Sequence, residues 1–403
     1  MPSECVFEFD RPVPIYYSGE TINGRISLTT TSAKSVNVVY ILFEGQGKVH
    51  WEKRRSSGKN SYTEHFRSFE SYFNNRTNVF GEGELPPGTH TYTFCIPLPL
   101  ECPTSCVERY GKISYEVSLV VDRPWRFNNV FKRPITVLQT YNLNMYADLL
   151  LPLKNEDVKY LCCWPCSAGP IISTLTIPFG GYAPGQKINY TLCIDNQSNG
   201  NDLEGIKITL LQKYIFRATS PRQKFKEHIN ALATESQDQR VLRLSKREIN
   251  ASLLIPPVPP STRSNRIINI YYSILMTIRT GACHKASEIE IPITIGTIPL
   301  AQSAVNPATA AQWIPQTPDT PAGAAADLPP SYDNCRPPSF ETSTHIGEKF
   351  IDTEVNEHHR TDDFIPHYPM YTNFSAPTAP PPETSDAPLL QQPHNPSANS
   401  QFN

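Results

Sequence analysis

From residue 6 to about 140 the apolar positions recur with a period of two. Ile113, Tyr115, Val117, Leu119 and Val121 alternate with Ser114, Glu116 and Ser118, a pattern that turns one face of an extended strand toward a core and the other toward water. Turn residues punctuate these runs: Ser18-Gly19-Glu20, Asn23-Gly24 and Leu85-Pro86-Pro87-Gly88 supply positive-φ positions and preset bends. No stretch sustains a 3.6-residue apolar period over several turns.

The same pattern returns from about 168 to 297. Ile188, Tyr190, Leu192 and Ile194 predict one strand, Ile268, Ile270, Tyr272, Ile274, Met276 and Ile278 a second, and Ile289, Ile291, Ile293 and Ile295 a third. The two halves also echo each other. Tyr17-Ser18-Gly19-Glu20-Thr21-Ile22-Asn23 matches Tyr182-Ala183-Pro184-Gly185-Gln186-Lys187-Ile188-Asn189 with one inserted residue, and Pro134-Ile135-Thr136-Val137 matches Pro292-Ile293-Thr294-Ile295. These matches predict an all-β body in which one unit occurs twice, as two tandem Ig-like antiparallel β-sandwiches. Between the halves, Leu149-Leu150-Leu151-Pro152-Leu153 and the polar run to Lys159 read as an ordered hinge.

Charge divides the chain differently. Residues 298–403 hold 12 acidic and 3 basic side chains, so the chain's formal −2 resolves into −9 there and +7 over residues 1–297. A basic body with an acidic, proline-rich tail favours anionic partners, and the body can be covered by its own tail. At the start, Met-Pro-Ser-Glu-Cys-Val has neither the basic nor the apolar region of a secretory signal, and no window approaches the roughly 20 apolar residues of a membrane span. The expected compartment is the cytoplasm. Its ten cysteines are then expected to be reduced, and sequons such as Asn189-Tyr190-Thr191 unused.

The tail carries ligand chemistry. In Leu328-Pro329-Pro330-Ser331-Tyr332 the adjacent prolines preset an extended polyproline conformation, and Pro329, Pro330 and Tyr332 have the Pro-Pro-x-Tyr spacing that WW domains read. Pro337, Pro338 and Phe340 repeat the pattern eight residues on without the tyrosine hydroxyl, which predicts a weaker WW contact that adds avidity. Pro377, Thr378, Ala379 and Pro380 form the peptide read by the UEV domain of ESCRT-I. Asp386-Ala387-Pro388-Leu389-Leu390 has a weak likeness to a sorting dileucine, and Pro315, Pro318 and Pro321 to an SH3 ligand.

No catalytic constellation is legible. Nucleophile elbow, phosphate-cradling glycine loop and zincin motif are all missing from the sequence, so no enzyme activity and no cofactor are expected. Cys163-Trp164-Pro165-Cys166 has the C-x-x-C form of a thiol oxidoreductase but lacks the strand-to-helix context that chemistry needs. A zinc site on Cys162, Cys163 and Cys166 would need Cys193, Cys283 or His284 as a fourth ligand; S-acylation beside Trp164 is another option. Packing of reduced cysteines at a domain junction is the reading adopted, and no metal is assigned. His358 and His359 read as solvated. Lys53, Arg54 and Arg55, continuing to Lys59, read as a basic loop following a strand that ends near Trp51; Arg222, Lys224 and Lys226 form a second basic cluster.

Taken together in order, several segments make the chain resemble an arrestin-domain protein of the α-arrestin branch. They are Phe9-Asp10 with Tyr17 to Gly24, Gly45-Gln46-Gly47 to Trp51, Leu85-Pro86-Pro87-Gly88 to Pro99, and Gly111 to Trp125. Ile255-Pro256-Pro257 to Ser261 and Ile293 to Leu300 complete the series. The resemblance implies an N-terminal arrestin domain over 1–145, a hinge over 146–167, a C-terminal arrestin domain over 168–300 and a disordered proline-rich tail over 301–403.

It further implies an adaptor. The sandwiches would engage a membrane-protein cargo, with Lys53, Arg54 and Arg55 meeting a cargo tail or lipid head group in a peripheral membrane contact. The tail would recruit a HECT-type ubiquitin ligase with WW domains, and ESCRT-I as a further partner, with recruitment to the plasma membrane and endosomes. Nucleic acid is not an expected partner. Neither a clathrin box nor a charged polar core is locatable, so direct clathrin recruitment and phosphate-triggered activation are not carried over. The rival readings are an arrestin-fold coat subunit of endosomal sorting, working through the sandwiches alone, and a redox or signalling scaffold using an exposed cysteine.

Overall fold

The computed structural model describes residues 3–57, 60–163, 166–199, 202–237, 240–263, 265–279, 286–301, 335–336, 350–351 and 364–371. Two β-sandwiches follow one another. In the first, Ser3–Phe9, Thr21–Thr30 and Gly88–Pro97 form one sheet, whose outer edge is extended by Phe350–Ile351 running antiparallel to Ser3–Phe9. The other sheet runs Ile15–Tyr17, Asn129–Leu138, Gly111–Asp122, Val38–Ser57, Asn60–Phe80. In the second sandwich, the sheet Leu153–Cys163, Cys166–Ile177, Lys187–Asn196, Ser245–Leu254 faces the sheet Gly181–Tyr182, Ser287–Ile295, Ile268–Arg279, Glu204–Ala218, Lys224–Gln237.

The internal repeat predicted from the sequence recurs as geometry. Ile15–Tyr17 pairs in parallel with Thr136–Leu138, and Gly181–Tyr182 pairs in parallel with Thr294–Ile295. The turns that follow place Gly19 and Gly185 both at φ +90, a conformation that side chains with a Cβ rarely adopt. A buried tyrosine in each domain donates its hydroxyl to a proline carbonyl, Tyr115 to Pro103 at 2.7 Å and Tyr272 to Pro259 at 2.5 Å. A buried serine in each is tied to the closing strand: Ser105 accepts from the Val137 N–H, and Ser261 from the Ile295 N–H, both at 2.9 Å.

Alternation holds along Lys187–Asn196, where Ile188, Tyr190, Leu192 and Ile194 are buried and the intervening residues half-buried. Along Gly111–Asp122 it is overridden, because Glu116 and Ser118 on the expected water face are also buried. Both neighbouring strands contribute cover there, and the Lys132 ammonium from Asn129–Leu138 lies 2.8 Å from the Glu116 carboxylate. The stretch read as the hinge holds the short 3₁₀ turn Ala147–Leu150, preceded by another at Leu143–Met145, then enters Leu153–Cys163, which is an edge strand of the second sandwich. Trp164 and Pro165 lie outside the described residues; Cys163 and Cys166 are backbone register partners of the antiparallel strands Leu153–Cys163 and Cys166–Ile177, so neither belongs to a strand-to-helix turn.

Most buried apolar side chains of both sandwiches belong to one contact-linked core, and Ile15, Tyr17 and Leu138 form a small separate cluster. Across the seam the Arg67 N–H donates to the Ser220 carbonyl at 2.8 Å, the Ser68 hydroxyl to Thr219 at 3.1 Å, and the Tyr141 N–H to the Thr297 hydroxyl at 2.7 Å. Among the described residues no helix is long and apolar enough to cross a membrane.

Candidate functional site

The longest hairpin positions the site. Gly111–Asp122 pairs with Val38–Ser57 only as far as Val49, so the far end of the Val38–Ser57/Asn60–Phe80 hairpin overhangs the first sandwich and reaches the second. Trp51 and Phe66 stiffen the overhang, their rings stacked at 5.3 Å and 13°. Lys53, Arg54 and Arg55 therefore lie in a strand, not in the loop expected from the sequence. The basic, Ser-containing composition that suggested a loop belongs to an overhanging strand pair with polar side chains on both faces.

Strand geometry splits the basic run. Lys53 and Arg55 share the face of Trp51, while Arg54 points the other way, its Nη2 donating to the Ser61 hydroxyl at 3.1 Å. On the inner face the run meets the second basic cluster across the seam. Glu64, whose side chain is 12% exposed, receives Arg55 Nε at 3.1 Å from its own hairpin and Arg222 Nη2 at 3.0 Å from the second sandwich. Arg222 and Lys224 also lie over the Phe66 ring, at 5.5 and 4.6 Å from its centroid. Desolvation, then the cations of Lys53, Arg55 and Arg222, push the Lys224 pKa down, with Glu64 opposing. Lys226 continues the row over Tyr110 at 5.1 Å. Four cations, Lys53, Arg55, Arg222 and Lys224, thus surround a single carboxylate, a surplus of positive charge suited to a phosphate or carboxylate ligand.

A second feature was missed in the sequence. Trp125 and Phe127 stand 103% and 87% exposed in the turn between Gly111–Asp122 and Asn129–Leu138, flanked by Arg123 and Arg126. Exposed aromatics beside arginines suit a membrane–water interface. The signal was the Arg123-Pro124-Trp125-Arg126-Phe127 string itself, of which only the part ending at Trp125 entered the family likeness.

On the outer face of the overhang, His50, Glu52 and His65 bring one donor atom each to within 4.8 Å of one another, all exposed. His50 Nε2 and His65 Nδ1 are 3.4 Å apart, and His65 Nδ1 and Glu52 Oε1 3.2 Å. This is the one group among the described residues that could hold a metal ion. Burial pushes the Cys102 and Cys106 thiols up to about 11 and about 12, which keeps both protonated near neutrality. Cys95 is exposed. The WW motifs at Pro329, Pro330, Tyr332 and at Pro337, Pro338, Phe340, and the UEV motif at Pro377 to Pro380, lie outside the described residues.

Comparison with known proteins agrees with this architecture. Residues 5–144 match the family described as Arrestin (or S-antigen), N-terminal domain, and residues 167–300 match Arrestin (or S-antigen), C-terminal domain. The chain is similar to Arrestin domain-containing protein 17 of Caenorhabditis elegans, 23% identical over 337 residues that span 81% of this chain and 78% of that one. It is 30% identical over 310 residues to Arrestin domain-containing protein 4 of Homo sapiens, spanning 73% and 71% of the two chains. With Arrestin domain-containing protein 1 of Rattus norvegicus the identity is 25% over 297 residues, 71% and 65% of the chains.

Proposed function

This chain belongs to the arrestin family, among the arrestin-domain-containing proteins, whose members are non-enzymatic adaptors, and on that premise we propose that it couples membrane-protein cargo to a WW-containing HECT-type ubiquitin ligase. The observation that carries the proposal is Pro329-Pro330-Ser331-Tyr332, a WW ligand attached to a body that displays its own anion-binding surface. The body holds an acidic or phosphorylated cytoplasmic segment of the cargo at Lys53, Arg55, Arg222 and Lys224, and Trp125 and Phe127 rest on the membrane surface. The tail brings the ligase to the same place. A WW contact of micromolar strength, about −8 kcal/mol, suffices for such recruitment, because the cargo already held nearby raises the effective concentration. Ubiquitination, internalisation and handover to ESCRT-I through Pro377 to Pro380 follow from this arrangement, at the plasma membrane and endosomes.

A pull-down from cytosol with the full chain and with its Tyr332→Ala variant, scored for HECT ligases, tests the proposal. Ligases that bind the full chain and are lost with the substitution are the expected result. If they are captured equally by both, or by neither, the motif is an accident of tail composition, and a coat subunit working through the sandwiches becomes the better account.

A further inference from the structure

Of the segment read from the sequence as an unstructured tail, Phe364-Ile365-Pro366-His367-Tyr368-Pro369-Met370-Tyr371 lies packed along the seam between the two sandwiches. Two of its hydrogen bonds go to the first sandwich. The His367 N–H donates to the Thr136 hydroxyl at 3.1 Å, and the Tyr368 hydroxyl to the Ser105 carbonyl at 2.9 Å. Two more go to the second: the Tyr371 N–H donates to the Pro184 carbonyl at 3.0 Å, and the Tyr371 hydroxyl to the Thr297 carbonyl at 2.9 Å. The Tyr368 ring packs on Ile15, Tyr17 and Leu138. The Tyr371 carbonyl oxygen comes so close to Gly185 that an added Cβ would sit 2.0 Å from it. Beyond the seam, Met370 and Tyr371 pair antiparallel with Arg336 and Cys335, the latter three residues past Tyr332 of the first WW motif.

We propose that the seam is a binding site for a tyrosine-proline peptide, filled in cis by residues 364–371, which bond to both sandwiches at once. The site reads two hydroxyls in Tyr-x-x-Tyr spacing, each delivered to a main-chain carbonyl next to a closing strand of the duplicated unit, one per domain. Pro366 and Pro369 restrict the peptide before it docks, which lowers the entropy lost on binding. Because the Tyr368 hydroxyl is held against the Ser105 carbonyl in a desolvated position near the Glu108 carboxylate, a phosphate on it would be buried beside like charge. These contacts are internal to the chain and need neither cargo nor ligase.

The test uses a fluorescein-labelled peptide of residues 362–373, titrated into the full chain and into the full chain carrying Tyr368→Ser with Tyr371→Ser, a variant that leaves both sandwiches unaltered. The variant, its seam vacated, should bind the peptide at least tenfold more tightly than the unsubstituted chain, which holds its own copy. The same peptide with phosphotyrosine at position 368 should bind the variant at least tenfold more weakly. Equal affinity for both chains, no binding to the variant, or undiminished binding of the phosphopeptide overturns the proposal. Hydrogen exchange on the two full chains gives a second reading: the His367 and Tyr371 amides should be protected in the unsubstituted chain and lose protection in the variant. Unprotected amides in the unsubstituted chain would equally overturn it.

Discussion

Arg222, carried by the second sandwich, places its Nη2 3.0 Å from the carboxylate of Glu64 on the first. Arg55 reaches the same carboxylate at 3.1 Å, so Glu64 is the internal anion of an otherwise cationic surface. Replacing it by Gln frees both guanidinium groups for an external anion. Glu64→Gln should therefore tighten co-sedimentation with phosphatidylserine vesicles by about fivefold, the effect of roughly 1 kcal/mol per charge near such a surface. Arg222→Glu should weaken it by more, and added salt should diminish both effects. Folding stability should move by no more than about 1 kcal/mol, because these pairs are partly solvated. Vesicle binding that ignores both substitutions would remove the patch as an anion site.

The exposed pair Trp125 and Phe127 makes a separate prediction. Trp125→Ala with Phe127→Ala should reduce binding to the same vesicles about tenfold by removing apolar area from the interface. Because both side chains already face solvent, the thermal midpoint should stay where it is. A fall in the midpoint without loss of binding would mean that the pair serves the fold.

Gly45 tests the packing of the first sandwich. A Cβ there would lie 2.4 Å from Cε1 of Tyr115, whose ring is fully buried and whose hydroxyl is committed to Pro103. Gly45→Ala should destabilise by about 1–3 kcal/mol through overpacking. In calorimetry the transition of the first domain should fall by roughly 4–8 °C for a loss of about 2 kcal/mol. An unchanged transition would show that the Tyr115 ring can move aside.

The buried thiols predict alkaline sensitivity. Burial lifts the Cys106 thiol from 9.0 to about 12, so above pH 9 the unfolded chain releases a proton that the folded chain retains. Stability is then fully present below about pH 9 and declines as pH rises toward 12, by up to about 1.4 kcal/mol per pH unit for each such group. Tyr190, lifted by burial from 10.0 to about 12, adds to the decline from a higher onset. Urea midpoints from about pH 8 to pH 10.5 should show this slope, and Cys106→Ala should reduce it by one group's share. A slope unaffected by the substitution would contradict the assignment.

Much of the fold was legible because local chemistry and tertiary structure agree. Period-two runs such as Ile188 to Ile194 became strands with one buried face, and the matching Tyr17-Ser18-Gly19 and Tyr182-Ala183-Pro184-Gly185 turns share their glycine conformation. Glu116 and Ser118 departed from the pattern because cover from neighbouring strands is invisible in a single strand's periodicity. The basic patch was only half legible. Lys53 to Arg55 and Arg222 to Lys226 could each be seen as clusters, but their meeting at Glu64 depends on contacts between residues 158 positions apart. Strand alternation then removed Arg54 from the group. Composition hid the seam segment, because proline marks a tail and a docked extended peptide alike. The available signal was the local density of Phe364, Ile365, Tyr368, Met370 and Tyr371 with no Asp, Glu, Lys or Arg among them.

In the proposed function one chain joins cargo, held by its body, to a ligase, held by its tail. The most direct measurement is quantitative proteomics of ubiquitin-remnant peptides on surface membrane proteins, in cells expressing the full chain, its Tyr332→Ala variant, or its Arg222→Glu with Lys224→Glu variant. The account predicts that both variants lose ubiquitination on the same set of membrane proteins. Loss on separate sets, or on none, would contradict it.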